Sequence, residues 1–190
     1  MAVKEKKLGD IRAWLEKQDA YALHRPILKC FARITYTVIN VFDIWECDLV
    51  DFQAVGKFND KYKYILSVME VFYKFLHLVH LRSKTGTAIA SEFRTIFEDS
   101  RNRPLWLRTD KGKECLNKNF QEMLKREGIH FQVCRNPDVK CSVVERAHRT
   151  IRDRLNKYFS YKNTCRYADV LPMFVRAYND TGQSATGMAA

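Results

Sequence analysis

The sequence predicts a mixed α/β domain, and three observations carry that reading. Apolar runs of strand length alternate with stretches of helical period, glycines and polar turns separate them, and 190 residues suit one core with a short appendage. Neither a repeat nor a sustained heptad pattern is present. The expected order is strand, strand, strand, helix, strand, helix, strand, helix: a five-stranded mixed sheet flanked by helices, its first three strands antiparallel.

The elements follow in chain order. Residues 4–20 place Leu8, Ile11, Trp14 and Leu15 on one stripe with charges elsewhere, which predicts a short amphipathic helix ended by His24-Arg25-Pro26. Residues 1–43 read as this helix and a connector, and residues 44–190 as the main domain. IWECDLVDF, from Ile44 to Phe52, is apolar with embedded acids, as suits a strand covered on both faces with functional groups at one end. The run from Tyr62 to Leu81 is too rich in β-branched and aromatic residues for a surface helix and too long for one strand. Splitting it near Tyr73-Lys74 gives an antiparallel pair. Gly86 ends this sheet segment, and Ala88, Ile89, Phe93, Ile96 and Phe97 then recur at helical spacing. LWLRT, from Leu105, reads as the fourth strand. A helix over 118–126 points Phe120, Met123 and Leu124 inward, Gly128 caps it, and IHFQVCR reads as the fifth strand. A long helix from Ser142 to about Tyr161 and a final one from about Tyr167 to Tyr178 close the chain.

Composition narrows the function. An apolar fraction of 46% and an aromatic fraction of 13% can bury a core. The 33 Lys and Arg against 22 Asp and Glu leave a formal charge of +11, which makes nucleic acid the default partner, although charge alone equally suits a merely soluble basic protein. Cys30, Cys47, Cys115, Cys134, Cys141 and Cys165 form no C-x-x-C pair and no signal peptide precedes them, so reduced thiols in an intracellular protein are expected. His77 and His80 lie in a strand with no cysteine pair nearby and are not assigned as metal ligands. No apolar run approaches the roughly 18 residues that span a bilayer, so no membrane role is expected.

Three acids stand at element ends. Asp48 lies in the first strand, Asp110 closes the fourth ahead of Lys111-Gly112-Lys113, and Glu145 opens the long helix 35 residues further on. A lone Asp before Lys-Gly is an ordinary turn residue, and among 22 acids a 35-residue spacing is unremarkable. Placement is the stronger signal, because strand ends and helix N-termini converge on sites. Three packed carboxylates repel unless a dication joins them, and an all-oxygen set suits Mg²⁺ or Mn²⁺. On the helix, His148, Arg149 and Arg152 follow Glu145 at offsets of three, four and seven residues. The pair Glu145 and Arg149 is either a surface ion pair or part of a basic strip beside the acids.

WECDLVDF, LWLRTDKGKECLN and NPDVKCSVVERAHRTIRDRL together resemble the Asp, Asp, Glu core of retroviral-type integrases, a branch of the ribonuclease H-like fold. More narrowly, the chain is similar to integrases of Polinton (Maverick) transposons and related retroelements. The likeness runs from QDAYALHRP through KYKYILSVMEVFYKF and SKTG to AYNDTGQSATGMA, about residues 20–188. It implies that Asp48, Asp110 and Glu145 are catalytic and hold Mg²⁺ or Mn²⁺. Asp51, the nearest rival, would point to the opposite face from Asp48. It also implies that His148, Arg149 and Arg152, and more weakly Lys111, Lys113 and Lys140, touch DNA.

The family likeness further implies metal-dependent nicking of element ends and transfer of the freed 3′-hydroxyls to target DNA, a homo-oligomer, and a nuclear site of action. Departures from the pattern include Glu70 for Asp, Tyr73 for Ser, Cys115 for Phe, Ala147 and His148 for Phe and Asn, and Gln183 and Ala189 for His and Pro. With no His-His-Cys-Cys module ahead of the core, a fragment or a reduced derivative is expected. The alternative is a domesticated, non-catalytic DNA- or protein-binding module. A ribonuclease H acting on hybrids shares the fold but is disfavoured by the tail motifs.

Overall fold

The computed structural model describes residues 8–24, 38, 40–100, 102–110, 112, 115–134, 141–182, 187 and 189. Five strands form one sheet: β1 Ile44–Asp51, β2 Tyr64–Glu70, β3 Leu76–Leu81, β4 Trp106–Thr109 and β5 His130–Val133. Their spatial order is β3-β2-β1-β4-β5. β1, β2 and β3 pair antiparallel, whereas β4 joins β1, and β5 joins β4, in parallel. β1 therefore lies at the centre of the sheet. Burial explains the composition of β2, whose seven residues are all buried.

Six α-helices are present among the described residues, α1 Leu8–Leu15, α2 Asp19–Leu23, α3 Gly86–Ser100, α4 Lys118–Arg126, α5 Ser142–Lys162 and α6 Leu171–Asn179, and the last four pack on the sheet. Strand alternation divides the core in two. Trp45, Cys47, Leu66, Val68 and Leu107 meet Phe93 and Phe97 of α3 and Phe120 and Leu124 of α4. Val50, Ile65, Met69 and Leu76 meet Val144, Ala147, Ile151 and Leu155 of α5, with Leu171 and Tyr178 of α6. Helix layers on both faces make β1 a strand with no solvent-facing side until its C-terminal end.

Two boundaries differ from the sequence reading. The single amphipathic helix expected over 4–20 is two pieces, because the backbone turns at Glu16–Gln18 with Lys17 N donating to Trp14 O and Gln18 N to Leu15 O. α2 then docks on α5, where His24 Nε2 lies 2.8 Å from Ser160 Oγ and the Lys157 ammonium sits 4.1 Å from the Tyr21 ring centre. The last helix begins at Leu171 rather than Tyr167. Buried Asn59 accepts from the amides of Tyr167 at 2.6 Å and Ala168 at 3.1 Å, which folds that stretch into a separate turn. Pro172 then suits the opening of the helix proper.

Gly86 opens α3 where no side chain fits: a Cβ there would lie 2.4 Å from Cβ of Asn117. Asn117 is the N-cap of α4, its Oδ1 accepting from Asn119 N at 2.9 Å. Gly86→Ala must displace that cap, so it should cost about 2–3 kcal/mol from overpacking and capping loss combined. Thermal denaturation of the variant measures this, and an unchanged midpoint would show that the cap can move freely.

Candidate active site

The parallel ladder between β1 and β4 aligns Cys47 with Thr109. Asp48 and Asp110 each follow one residue later, at neighbouring positions on strands about 4.8 Å apart. Asp48 is half-buried: its Oδ1 accepts from Leu49 N at 2.7 Å, and its Oδ2 lies 3.1 Å from Nδ1 of His148. Asp110 is exposed and its Oδ1 accepts from Gly112 N at 3.0 Å. Thr109 Oγ1 donates to the Asp110 carbonyl at 2.7 Å, fixing the end of the strand. Asp51 is exposed at the strand end, where Gln53 donates to both of its oxygens through N and Nε2. Those bonds hold its carboxyl below the usual range.

Glu46 aims α5 at these strand ends. Two residues before Asp48 and on the same face, it is fully buried, and its Oε2 accepts from the amides of Val143 and Val144, each at 3.0 Å. A carboxylate on two orphan N–H groups at a helix start is favoured by both hydrogen bonding and the helix dipole. This residue was not singled out from sequence. The available signal was an acid between Trp45 and Cys47 in a strand expected to be buried, where a charge needs partners.

α5 therefore delivers Glu145 in its first turn, exposed beside these strand ends. Val144, Ala147, Ile151 and Leu155 form its buried face, while Arg149 and Arg152 are exposed. His148 turns inward onto Asp48 and keeps only 12% side-chain exposure. Beneath it, a cavity of about 10 Å³ lined by Val50, Ser67, Leu78, His148, Ile151 and Arg152 has room for one water molecule. Among the described residues, Ser67 Oγ and His148 Nε2 are buried polar atoms with no protein partner.

The structure thus brings Asp48, Asp110 and His148 together toward the C-terminal ends of β1 and β4 and sets Glu145, Arg149 and Arg152 along the adjoining helix. Lys111, Lys113 and Lys140 lie outside the described residues. Among the described residues no three His, Cys, Asp or Glu side chains converge as a metal-ligating group. The donor chemistry of the three carboxylates fits a hard dication. In this arrangement, however, His148 engages Asp48 and Gly112 engages Asp110.

A mixed sheet ordered β3-β2-β1-β4-β5 with helices on both faces is the ribonuclease H-like fold of retroviral integrase cores. The chain belongs to the integrase core domain family, which matches residues 40–138. A transposon-derived protein of Caenorhabditis elegans is 30% identical over 131 residues, 69% of this chain and 46% of that protein, so the chain spans less than half of that relative. The magnesium-bound, trimeric catalytic core of HTLV-2 integrase superposes with a TM-score of 0.62 at 20% identity, covering 77% of this chain and 91% of the other. The simian T-cell lymphotropic virus intasome bound to the PP2A regulatory subunit B56 gamma gives 0.66 at 17% identity, covering 92% and 62%. The catalytic core of BIV integrase gives 0.60 at 21% identity, covering 77% and 90%. Among the described residues, no helix is long and apolar enough to cross a membrane.

Proposed function

We propose that this chain is the catalytic core of a divalent-metal-dependent DNA integrase that nicks the ends of its own element and joins the 3′-hydroxyls to target DNA. The observation that carries this reading is the side-by-side placement of Asp48 and Asp110 next to the first turn of α5, where Glu145 stands. Asp48, Asp110 and Glu145 would hold Mg²⁺ or Mn²⁺, which when bound supplies an activated nucleophile and a stabilised leaving oxygen for in-line phosphoryl transfer. Freeing the Asp48 carboxylate for that role would require it to give up its contact with His148. Glu46 keeps α5 seated through that change, because its bonds go to backbone amides and not to the three acids.

Arg149 and Arg152 supply phosphate contacts along the helix, and His148 joins them in the DNA-facing set when it leaves Asp48. Lys111, Lys113 and Lys140 extend the same role by sequence. The substrates are the element's DNA ends and a target duplex, the working form is a homo-oligomer, and the site of action is the nucleus. The transposon-derived relative and the motif likeness to Polinton integrases support a transposon as the source.

A nicking and strand-transfer assay on labelled duplex, run in Mg²⁺, Mn²⁺ and EDTA, tests this reading. Product that needs the metal is expected. The alternative of a non-catalytic binding module draws on the His148 contact and the unconverged acids. It predicts DNA binding without product and no rise in melting temperature with Mg²⁺, whereas saturating metal on a working site should add a few kcal/mol.

Reversing Arg149 and Arg152 together to Glu should weaken binding to a duplex end about tenfold or more and lower the salt slope by about two. Fluorescence anisotropy at several salt concentrations reads both quantities. An unchanged slope would remove these arginines from the DNA surface.

A further inference from the structure

Two cysteines meet at the start of α5. Cys134 follows β5, its amide donating to Thr109 O at 2.8 Å, and Cys141 is the N-cap of α5, its carbonyl accepting from Glu145 N at 3.1 Å. Their Sγ atoms are 3.5 Å apart, with Cys141 donating to Cys134. Disulfide formation needs that gap to close to about 2.05 Å, a movement that small side-chain rotations can supply. Cys134 is half-buried and reachable, whereas Cys141 is buried.

We propose that Cys134 and Cys141 are a redox-sensitive dithiol, oxidised by a small hydroperoxide to a disulfide that staples the end of β5 to the start of α5. The Cys134 thiolate attacks one peroxide oxygen, breaking the O–O bond; the departing hydroxide takes a proton and leaves as water, and Cys134 becomes a sulfenic acid. The Cys141 sulfur then attacks the Cys134 sulfur and expels the hydroxyl, which leaves as a second water with the Cys141 proton. Two thiols lose two electrons, and the peroxide gains them.

The division of labour follows from exposure. Cys134 is half-buried and open to a small oxidant whereas Cys141 is buried, which marks Cys134 as the attacking sulfur. Cys47 and Cys115 are also neighbours, but both are buried in the opposite core and serve as an internal control. The staple fixes the turn that carries Glu145 and is independent of whether the three acids catalyse.

The test uses the intact chain. It is treated with hydrogen peroxide near equimolar ratio, alkylated, and digested with trypsin without reductant. Cleavage after Arg126, Arg135, Lys140 and Arg146 puts each cysteine in its own peptide, so that Glu127 to Arg135 and Cys141 to Arg146 remain joined only through a disulfide. A linked pair that dithiothreitol separates is expected, with Cys47 and Cys115 alkylated. In Cys141→Ser, whose hydroxyl suits an N-cap, Cys134 should stall as a sulfenic acid and take up several-fold more dimedone than the wild type. Recovery of both cysteines alkylated, of Cys134 as sulfinic acid in the wild type, or of equal dimedone uptake in the two proteins would overturn the proposal.

Discussion

On the proposed integrase reading, Asp110→Asn is expected to remove metal-dependent nicking and strand transfer while the fold stays intact. A dication at such a site contributes several kcal/mol of transition-state stabilisation, so the rate should fall about a thousandfold or more. The fold should survive because Asp110 is exposed and outside both cores. The bond from Gly112 N to its Oδ1 can be kept by the amide oxygen of Asn. Product from labelled duplex in Mg²⁺ or Mn²⁺ and the thermal midpoint are measured on the same preparation. Wild-type product from the variant would take Asp110 out of the chemistry, and a collapsed midpoint would make it a structural residue.

Glu46→Ala should have the largest effect on stability. It strips the acceptor from the part-buried amide of Val143 and the buried amide of Val144 at the base of α5. Each unsatisfied buried donor costs about 1–3 kcal/mol, and bonds to a charged acceptor lie at the upper end, so the sum is about 3–5 kcal/mol. For a domain of this size that lowers the melting midpoint by roughly 6–20 °C. Glu46→Gln keeps an acceptor of similar reach and should lose less than half as much. Equal losses in the two variants would mean that side-chain packing, not the cap, fixes the helix. The contrast with Asp110 separates two acids near the same strand ends: one is expected to govern rate, the other to hold the helix in place.

Much of the fold was legible because its elements have clear periods and punctuation. The break at Tyr73-Lys74 falls in the turn between β2 and β3, where Glu70 accepts from Phe72 N at 2.9 Å and from Tyr73 N. That explains how Glu at a position expected to hold Asp still closes the turn. The helix over Lys118–Arg126 carries its inward Phe120, Met123 and Leu124 as expected. The opening helix breaks into two because Ile11 and Trp14, the source of its amphipathic character, are exposed and add no burial that would favour one continuous cylinder. The last helix is shorter than its apolar period suggests because the acceptor that bends Tyr167 and Ala168 is Asn59, more than a hundred residues away.

By itself the sequence determined which residues alternate, where the chain turns, and which acids stand at strand and helix ends, because those properties depend on neighbours a few positions apart. Tertiary structure decided the rest. Register set Asp48 beside Asp110, helix packing turned His148 onto Asp48, Glu46 found the amides of Val143 and Val144, and Cys134 came within 3.5 Å of Cys141. Most of these contacts join residues far apart in the chain, and even the cysteine pair needs the end of β5 and the start of α5 to be fixed in space. Local patterning can say that a buried acid or a thiol needs a partner, but only the folded geometry can say which partner it meets.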